Sequence, residues 1–238
     1  MRPVERGDWP EGSPGQKLDF SDYGKALTPL VGRIGGYCSY CGMRLDSSLH
    51  VEHVQPKKPG GVAHSDRERD WNNFLLACVN CNSTKGDVDI ALDEVFWPDK
   101  DNTFRAFDYD AEGGIRVSSA LVRPADRAKA ERTLRLTGLD RFHGGRVAPQ
   151  PNDRRWIGRK LAWGRARRAL ANLQRLDDVL MRDQIIETAI ADGYWSIWYT
   201  VFKDDADIRR RLVEAAVGTA KSCFDADYLP VPRPGGAL

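Results

Sequence analysis

Two short cysteine pairs decide how this chain folds: Cys38-Ser-Tyr-Cys41 and Cys78-Val-Asn-Cys81. Four cysteines in two CxxC pairs form the ligand set of a closed structural zinc site, in which each pair donates two thiolates to one tetrahedral ion. Such a site does no chemistry itself, but it holds the segment between the pairs against the segment that follows them. We therefore predict one structural zinc ion that organises the residues on either side of it.

The residues around the cysteines resemble a known nuclease motif. Three segments carry the resemblance: Val51-Glu52-His53 with Gln55-Pro56-Lys57, then Trp71-Asn72-Asn73 leading to Cys78, and finally Cys81-Asn82 followed by Lys85-Gly86. Over about residues 37 to 88 they are similar to the HNH endonuclease family. More narrowly, they resemble the HNH subunits of bacterial anti-phage systems of the Septu and retron-associated kind, in which the nuclease is encoded beside an ATPase.

The resemblance implies a catalytic site made of four residues. His53 is the candidate general base, since a neutral imidazole near pH 7 can accept a proton from water. Glu52 and Asn82 are the candidate ligands of a catalytic cation, and their oxygen donors suit Mg²⁺ or Mn²⁺. Asn73 precedes Asn82 by nine residues, which is the spacing between the second and third letters of the HNH motif. By resemblance, Asn73 either orients the histidine or ties the loop.

Two features of the motif leave its geometry open. The third letter is Asn82 where the family has a histidine, which changes a nitrogen ligand to an oxygen ligand. In a regular strand His50 and Glu52 share one face while His53 lies on the other, and His50 is then a second ligand beside Glu52. If the strand ends or bulges at Glu52, Glu52 and His53 converge instead. We favour this second case, in which the strand ends or bulges at Glu52 and His50 is a surface histidine or one that supports the site.

Basic residues suggest where nucleic acid binds. Lys85 and Lys57 lie beside the motif and are candidate phosphate contacts. Residues 154–182 carry nine Arg or Lys against two acids, so this segment has a charge of +7 within a chain of net charge +2. Such a concentration usually serves nucleic acid. Arg168, Arg175 and Arg182 are seven apart, so we predict one phosphate-binding helix face, with an acidic protein partner as the alternative.

Composition bounds the rest of the interpretation. The chain has 238 residues, 41% hydrophobic and 29% charged, which is ordinary for a globular protein. Its first residues lack the apolar core of a signal peptide, so we expect a cytoplasmic protein with no membrane contact. Paired cysteines in a reducing compartment are metal ligands rather than disulfides, and Cys223 is expected to be a buried, inert thiol.

The pattern of the chain predicts an α+β fold. We expect a leader and helix over 1–36, a zinc-ribbon nuclease domain with a ββα-metal core over 37–118, and a mainly helical region over 119–238. Helices are predicted over 20–34, 125–137 and 208–220, a strand over 49–54, and a hairpin around Glu112-Gly113-Gly114. A further helix has its apolar stripe at Ala162, Ala166, Ala169, Leu173, Leu176 and Leu180. The aromatic cluster of 194–202 is expected in the core.

Two functions of different classes follow. The first is a metal-dependent HNH endonuclease that cleaves nucleic acid, with DNA favoured over RNA, as the effector of an anti-phage system with an ATPase partner. The second is a catalytically silent zinc-ribbon adapter that binds nucleic acid or an ATPase. An adapter needs neither the Glu52-His53 pair nor Asn82 at the motif's spacing, so the sequence favours the enzyme.

Overall fold

The computed structural model describes all residues 1–238. Its strands form three small antiparallel pairs: β1 (Glu11–Ser13) with β2 (Gln16–Lys17), β3 (Leu49–His53) with β4 (Phe74–Cys78), and β5 (Phe107–Tyr109) with β6 (Ile115–Val117). The helices are α1 (Leu27–Ile34), α2 (Ser65–Glu68), α3 (Val79–Lys85), α4 (Pro124–Thr137), α5 (Arg155–Arg175), α6 (Val179–Asp192), α7 (Trp195–Val201) and α8 (Ala206–Ala215). The predicted α+β class, with a helical carboxy-terminal region, is confirmed.

The unit β3–β4–α3 lies at the centre of the amino-terminal half. β4 reads Phe-Leu-Leu-Ala-Cys and is buried along its whole length, because the paired strand covers its edge and helices cover its faces. α3 starts directly after the strand, where the Cys78 side chain accepts a hydrogen bond from the backbone N–H of Cys81 at 3.4 Å. α3 therefore begins at Val79, and Asn82 lies inside it.

Most predicted elements are present with shifted ends. The predicted helix over 20–34 is a 3-10 turn, Tyr23–Ala26, that runs into α1, and Pro29 is tolerated because it lies in the first turn. The left-handed Gly138 ends α4 as predicted, with φ 63°. The hairpin at Gly113–Gly114 is confirmed. The β1–β2 hairpin has no predicted counterpart.

Two apolar cores divide the chain. The first is built from residues between Met1 and Leu139 together with Leu238, and it includes α4 through Ala130 and Leu134. The second is built from residues between Ala166 and Phe224. Trp195, Trp198, Tyr199 and Phe202 are buried in this second core, which confirms the predicted core role of the aromatic cluster. Cys223 is also buried there, and burial raises the pKa of its thiol to about 11.

The apolar stripe predicted along residues 162–180 is only partly right. Ala162, Ala166 and Leu173 are buried, whereas Leu176 and Leu180 are exposed. The reason is that α5 ends at Arg175 and the chain turns before α6 begins at Val179, so the two leucines do not continue the α5 face. No helix of the structure is long and apolar enough to span a membrane.

Candidate nuclease site and zinc site

The four cysteines of the two CxxC pairs converge at one point. All four are buried, and their sulfur atoms lie within 4.8 Å of one another. Cys41 Sγ and Cys78 Sγ are 3.8 Å apart. A zinc ion with Zn–S bonds of about 2.3 Å at the centre of a tetrahedron requires sulfurs about 3.8 Å apart, so the donor set fits zinc. The cluster joins the loop before β3 to the β4–α3 junction.

His53 is held between two aromatic rings at the end of β3. Its imidazole meets Tyr23 and Phe74 edge to face, with ring centroids 4.9 and 5.2 Å away. His53 Nε2 lies 3.2 Å from the backbone carbonyl oxygen of Glu68. A carbonyl can only accept a hydrogen bond, so Nε2 carries the proton and donates it. The neutral ring therefore has its lone pair on Nδ1.

The electrostatics of this pocket favour the neutral imidazole. Burial lowers the pKa of His53, and the nearby cations Lys57 and Lys85 lower it further, while the hydrogen bond to the Glu68 carbonyl opposes the shift. The ring is thus ready to accept a proton at neutral pH. The sequence does not identify Glu68 as part of this arrangement, because the atom that contacts His53 is the backbone carbonyl oxygen of Glu68.

Asn73 ties together the loop that supplies the Glu68 carbonyl. Its side-chain oxygen accepts from the Gln55 N–H at 2.7 Å, and its Nδ2 donates to the carbonyls of Gln55 and Arg67 at 2.8 Å each. Arg67 is the residue immediately before Glu68. Of the two roles that the resemblance implies for Asn73, the structure shows the loop tie.

Glu52 does not converge with His53. β3 pairs with β4 in unbroken register from Leu49 to His53, so the predicted bulge at Glu52 is wrong. The Glu52 carboxylate is buried and lies 2.9 Å from the Lys85 ammonium, and the Tyr40 hydroxyl donates to it at 3.4 Å. Burial raises the pKa of Glu52, and Lys85 and Tyr40 oppose that shift.

Glu52, one of the two predicted ligands of the catalytic cation, is held in an ion pair in this arrangement. A divalent ion at Glu52 would have to displace the Lys85 ammonium, which is itself only 1% exposed. His50 shares a face with Glu52 as a regular strand requires, but it is exposed to solvent. Asn82 is half-buried on α3, one turn before Lys85.

Two of the predicted phosphate contacts are engaged in other interactions. Lys85 is buried in the pair with Glu52 and donates to the His53 carbonyl at 2.7 Å, so its prediction as a phosphate ligand is corrected. Arg182 lies on α6 and is paired with Asp177, Asp205 and Asp207. It shares no free face with Arg168 and Arg175, because the chain turns between α5 and α6.

Other basic residues are more accessible to solvent. Lys57 lies next to the histidine pocket, with its ammonium 3.8 Å from the Tyr23 ring centroid and 3.2 Å from the Glu68 carboxylate. Within the basic segment 154–182, four arginines are exposed and form no ion pair: Arg154, Arg167, Arg168 and Arg175. The predicted basic stripe is thus real but smaller than the sequence indicates.

Comparison with known proteins agrees with the geometry of the amino-terminal half. Residues 38–88 match the family model of the HNH endonuclease. The match covers both cysteine pairs, β3, β4 and α3, and it includes His53, Asn73 and Asn82. Residues 38–88 therefore form a domain that matches the HNH endonuclease family, and this match supports a nuclease. A search of curated proteins finds no match to the chain.

Proposed function

We propose that this protein is an endonuclease that hydrolyses phosphodiester bonds in nucleic acid, with His53 as its general base. One observation carries the proposal: within a matched HNH domain, the buried imidazole donates its Nε2 proton to the Glu68 carbonyl and leaves Nδ1 as a proton acceptor. A base so held removes a proton from water as the water attacks phosphorus, and such catalysis contributes about 10²- to 10⁴-fold to a rate.

The other residues support the base or the fold. Asn73 positions the loop that carries Glu68, and Lys57 supplies positive charge beside the histidine for an incoming phosphate. The four cysteines hold a structural zinc ion. HNH nucleases depend on a divalent cation, which neutralises charge on the phosphate when bound. We propose that this cation is Mg²⁺ or Mn²⁺. Of the two predicted ligands, Asn82 is the one that is not in an ion pair, and we propose that it binds the cation. Glu52 stabilises α3 against β3 through Lys85.

Cleavage of supercoiled plasmid tests the enzyme against the adapter. The purified protein with Mg²⁺ or Mn²⁺ should convert supercoiled plasmid to open-circular and linear forms, and single-stranded DNA and RNA run in parallel define the substrate class. An adapter would shift the mobility of the nucleic acid and leave every phosphodiester bond intact. That result, in protein shown to contain zinc, would contradict the proposal.

The resemblance to anti-phage nuclease subunits supports a narrower proposal. We propose that the protein is the effector nuclease of a bacterial defence system and acts with an ATPase partner. An ATPase reading frame adjacent to its gene, and co-purification of the two products, are the expected results. A gene with no such neighbour, or a co-expressed ATPase that fails to co-purify, would contradict this role and leave the nuclease proposal standing.

A further inference from the structure

Helix α5 places two buried arginines against the four-cysteine cluster. Arg155 and Arg159 lie one turn apart, and their side chains are 2% and 1% exposed. Arg155 Nη1 donates to Cys81 Sγ at 2.9 Å. Arg159 lines the same small cavity, of about 30 Å³, as Cys38 and Cys41. The carboxy-terminal helices therefore bring positive charge to both cysteine pairs.

Arg155 is fixed in place by a dense set of contacts. It forms a two-pronged pair with Asp153, at 2.8 Å from Nε and 2.6 Å from Nη2. It also donates to the carbonyl oxygens of Thr137 and Gly138, at 2.7 and 3.0 Å, where α4 ends. The hydrogen bond to Cys81 is thus preorganised and does not depend on a mobile side chain.

Arg159 has too few partners for a buried charge. Its Nε donates to the Gly113 carbonyl at 2.8 Å, but Nη1 and Nη2 have no hydrogen-bond partner. An arginine side chain keeps its proton inside a protein, so the Arg159 guanidinium carries its charge at neutral pH. An unpaired buried charge is strongly unfavourable. A zinc ion bound by four thiolates carries a net charge of −2, which is the counter-charge that Arg159 lacks.

The turn between α6 and α7 also reaches the first cysteine pair. The Tyr194 N–H donates to the Gly42 carbonyl at 2.6 Å, and Gly193 has φ 74°. A Cβ on Gly193 would lie 2.7 Å from the Arg44 nitrogen and 2.9 Å from the Gly42 oxygen, so only glycine allows this approach. The α6–α7 turn therefore contacts the chain directly after Cys41, while α5 contacts Cys81.

We propose that Arg155 and Arg159 are the charge partners of the zinc–thiolate centre, and that zinc binding is thereby coupled to the docking of helices α5–α7 on the HNH domain. The inference rests on the proposed zinc site. Neither arginine touches substrate, so both are positioning residues for the metal centre. By linkage, docking strengthens zinc binding by the same factor by which bound zinc strengthens docking, so loss of zinc loosens the docking.

Substitutions of Arg159 test the effect of its charge separately from the effect of its size. They do so because no carboxylate pairs with Arg159, so its removal leaves no buried acid without a partner. Zinc affinity of the full chain is measured by competition with a chromophoric chelator for Arg159→Met and Arg159→Lys, with the exposed Arg168→Met as control. Removal of an outer contact of a metal centre commonly weakens affinity about 10- to 100-fold. We expect such a loss for Arg159→Met, affinity close to that of the wild type for Arg159→Lys, and no change for Arg168→Met. Cobalt-loaded Arg159→Met should also show a shifted sulfur-to-metal charge-transfer band.

Several results would overturn the proposal. Wild-type protein that binds no zinc would remove the zinc site itself. Wild-type affinity in Arg159→Met, or equal losses in the Met and Lys variants, would overturn the charge role while leaving zinc and nuclease function intact.

The wild type gives a second test that needs no variant: removal of zinc should expose the 139–154 connection to protease first, as mapped by mass spectrometry. A first cut elsewhere, or an unchanged rate at this connection, would overturn the coupling.

Discussion

The arrangement around His53 makes the proton acceptor a single atom, Nδ1. Tyr23 and Phe74 enclose the ring, and the Glu68 carbonyl holds Nε2. Burial, together with Lys57 and Lys85, makes the protonated ring less favourable than it is in water. These contacts therefore select both the tautomer and the charge state that a general base requires.

A pH profile of cleavage follows from this lowered pKa. The base must be unprotonated, so the rate should rise with pH through the His53 pKa, which lies below the ordinary histidine value of about 6.5, and then stay level through pH 7. The measurement is kcat/KM for nicking between pH 4.5 and 8, with the pKa of His53 followed in parallel by NMR of the imidazole. A rate that is still climbing tenfold per unit above pH 7 would contradict a neutral, buried base.

Asn73 gives a second prediction at the scale of a residue. Asn73→Ala removes three hydrogen bonds to partly buried backbone groups of Gln55 and Arg67, and the net contribution of each bond is about 0.5–1.5 kcal/mol. We expect a lower melting temperature and a lower cleavage rate, because the Glu68 carbonyl loses its anchor. Asn72→Ala is the matched control, since Asn72 is exposed and should change neither. Equal effects of the two substitutions would contradict the loop-tie role.

At the scale of elements, the Glu52–Lys85 pair joins β3 to α3. Both side chains are almost fully buried at 2.9 Å from one another, and removal of one partner of such a pair typically destabilises a protein by about 3–5 kcal/mol. Lys85 also holds the β3 carbonyl of His53. The position of His53 relative to α3 therefore depends on this pair.

A double-mutant cycle distinguishes this structural role from cation ligation. Glu52→Gln and Lys85→Met should each lower stability to urea, and together they should lower it by less than the sum of the two, with a coupling of about 0.5–3 kcal/mol. Excess Mn²⁺ should restore neither stability nor cleavage in Glu52→Gln. Recovery of cleavage by Mn²⁺ in a fully folded Glu52→Gln protein would instead identify Glu52 as a metal ligand.

The sequence predicts elements better than it predicts the pairing of side chains between them. Strand and helix patterns depend on residues that are close together in the sequence. The strand at 49–54 and the helix ending at Gly138 are therefore correctly placed. The predicted bulge at Glu52 is wrong because Lys85, the ion-pair partner of Glu52, lies 33 residues away on α3. Tyr40, between the first two cysteines, is the other contact of Glu52, and nothing in the spacing indicates that it turns inward.

At the scale of the whole molecule, five of the nine basic residues of the segment 154–182 are buried or paired with an acid, and one of the five, Lys160, pairs with Glu112. Arg155 and Arg159 are buried beside the cysteines, Arg165 pairs with Asp192, and Arg182 pairs with three aspartates. A helical period cannot reveal these partners, because they come from distant parts of the chain. The exposed arginines that form no ion pair are the ones left to meet an anionic partner.

These exposed arginines give a prediction for nucleic-acid binding. Neutralising Arg167, Arg168 and Arg175 to Gln should weaken affinity and flatten the log–log dependence on salt by about one unit per lost phosphate contact. Cleavage of saturating substrate should persist, since His53 is unaffected. The comparison is Arg182→Gln, which should lower stability and leave the salt slope unchanged. An unchanged slope in the triple variant, with loss of a co-purifying acidic protein, would assign this surface to that protein.

The central claim, that His53 in the matched HNH domain is the base of a nuclease, is tested most directly by one substitution with a matched control. His53→Ala and His50→Ala are compared in plasmid nicking with Mg²⁺ or Mn²⁺, with zinc content and melting temperature measured on the same samples. His50 lies on the same strand but is exposed. The account predicts a loss of at least about 100-fold in rate for His53→Ala, with zinc retained, and a wild-type rate for His50→Ala. Undiminished nicking by a zinc-loaded His53→Ala protein would contradict it.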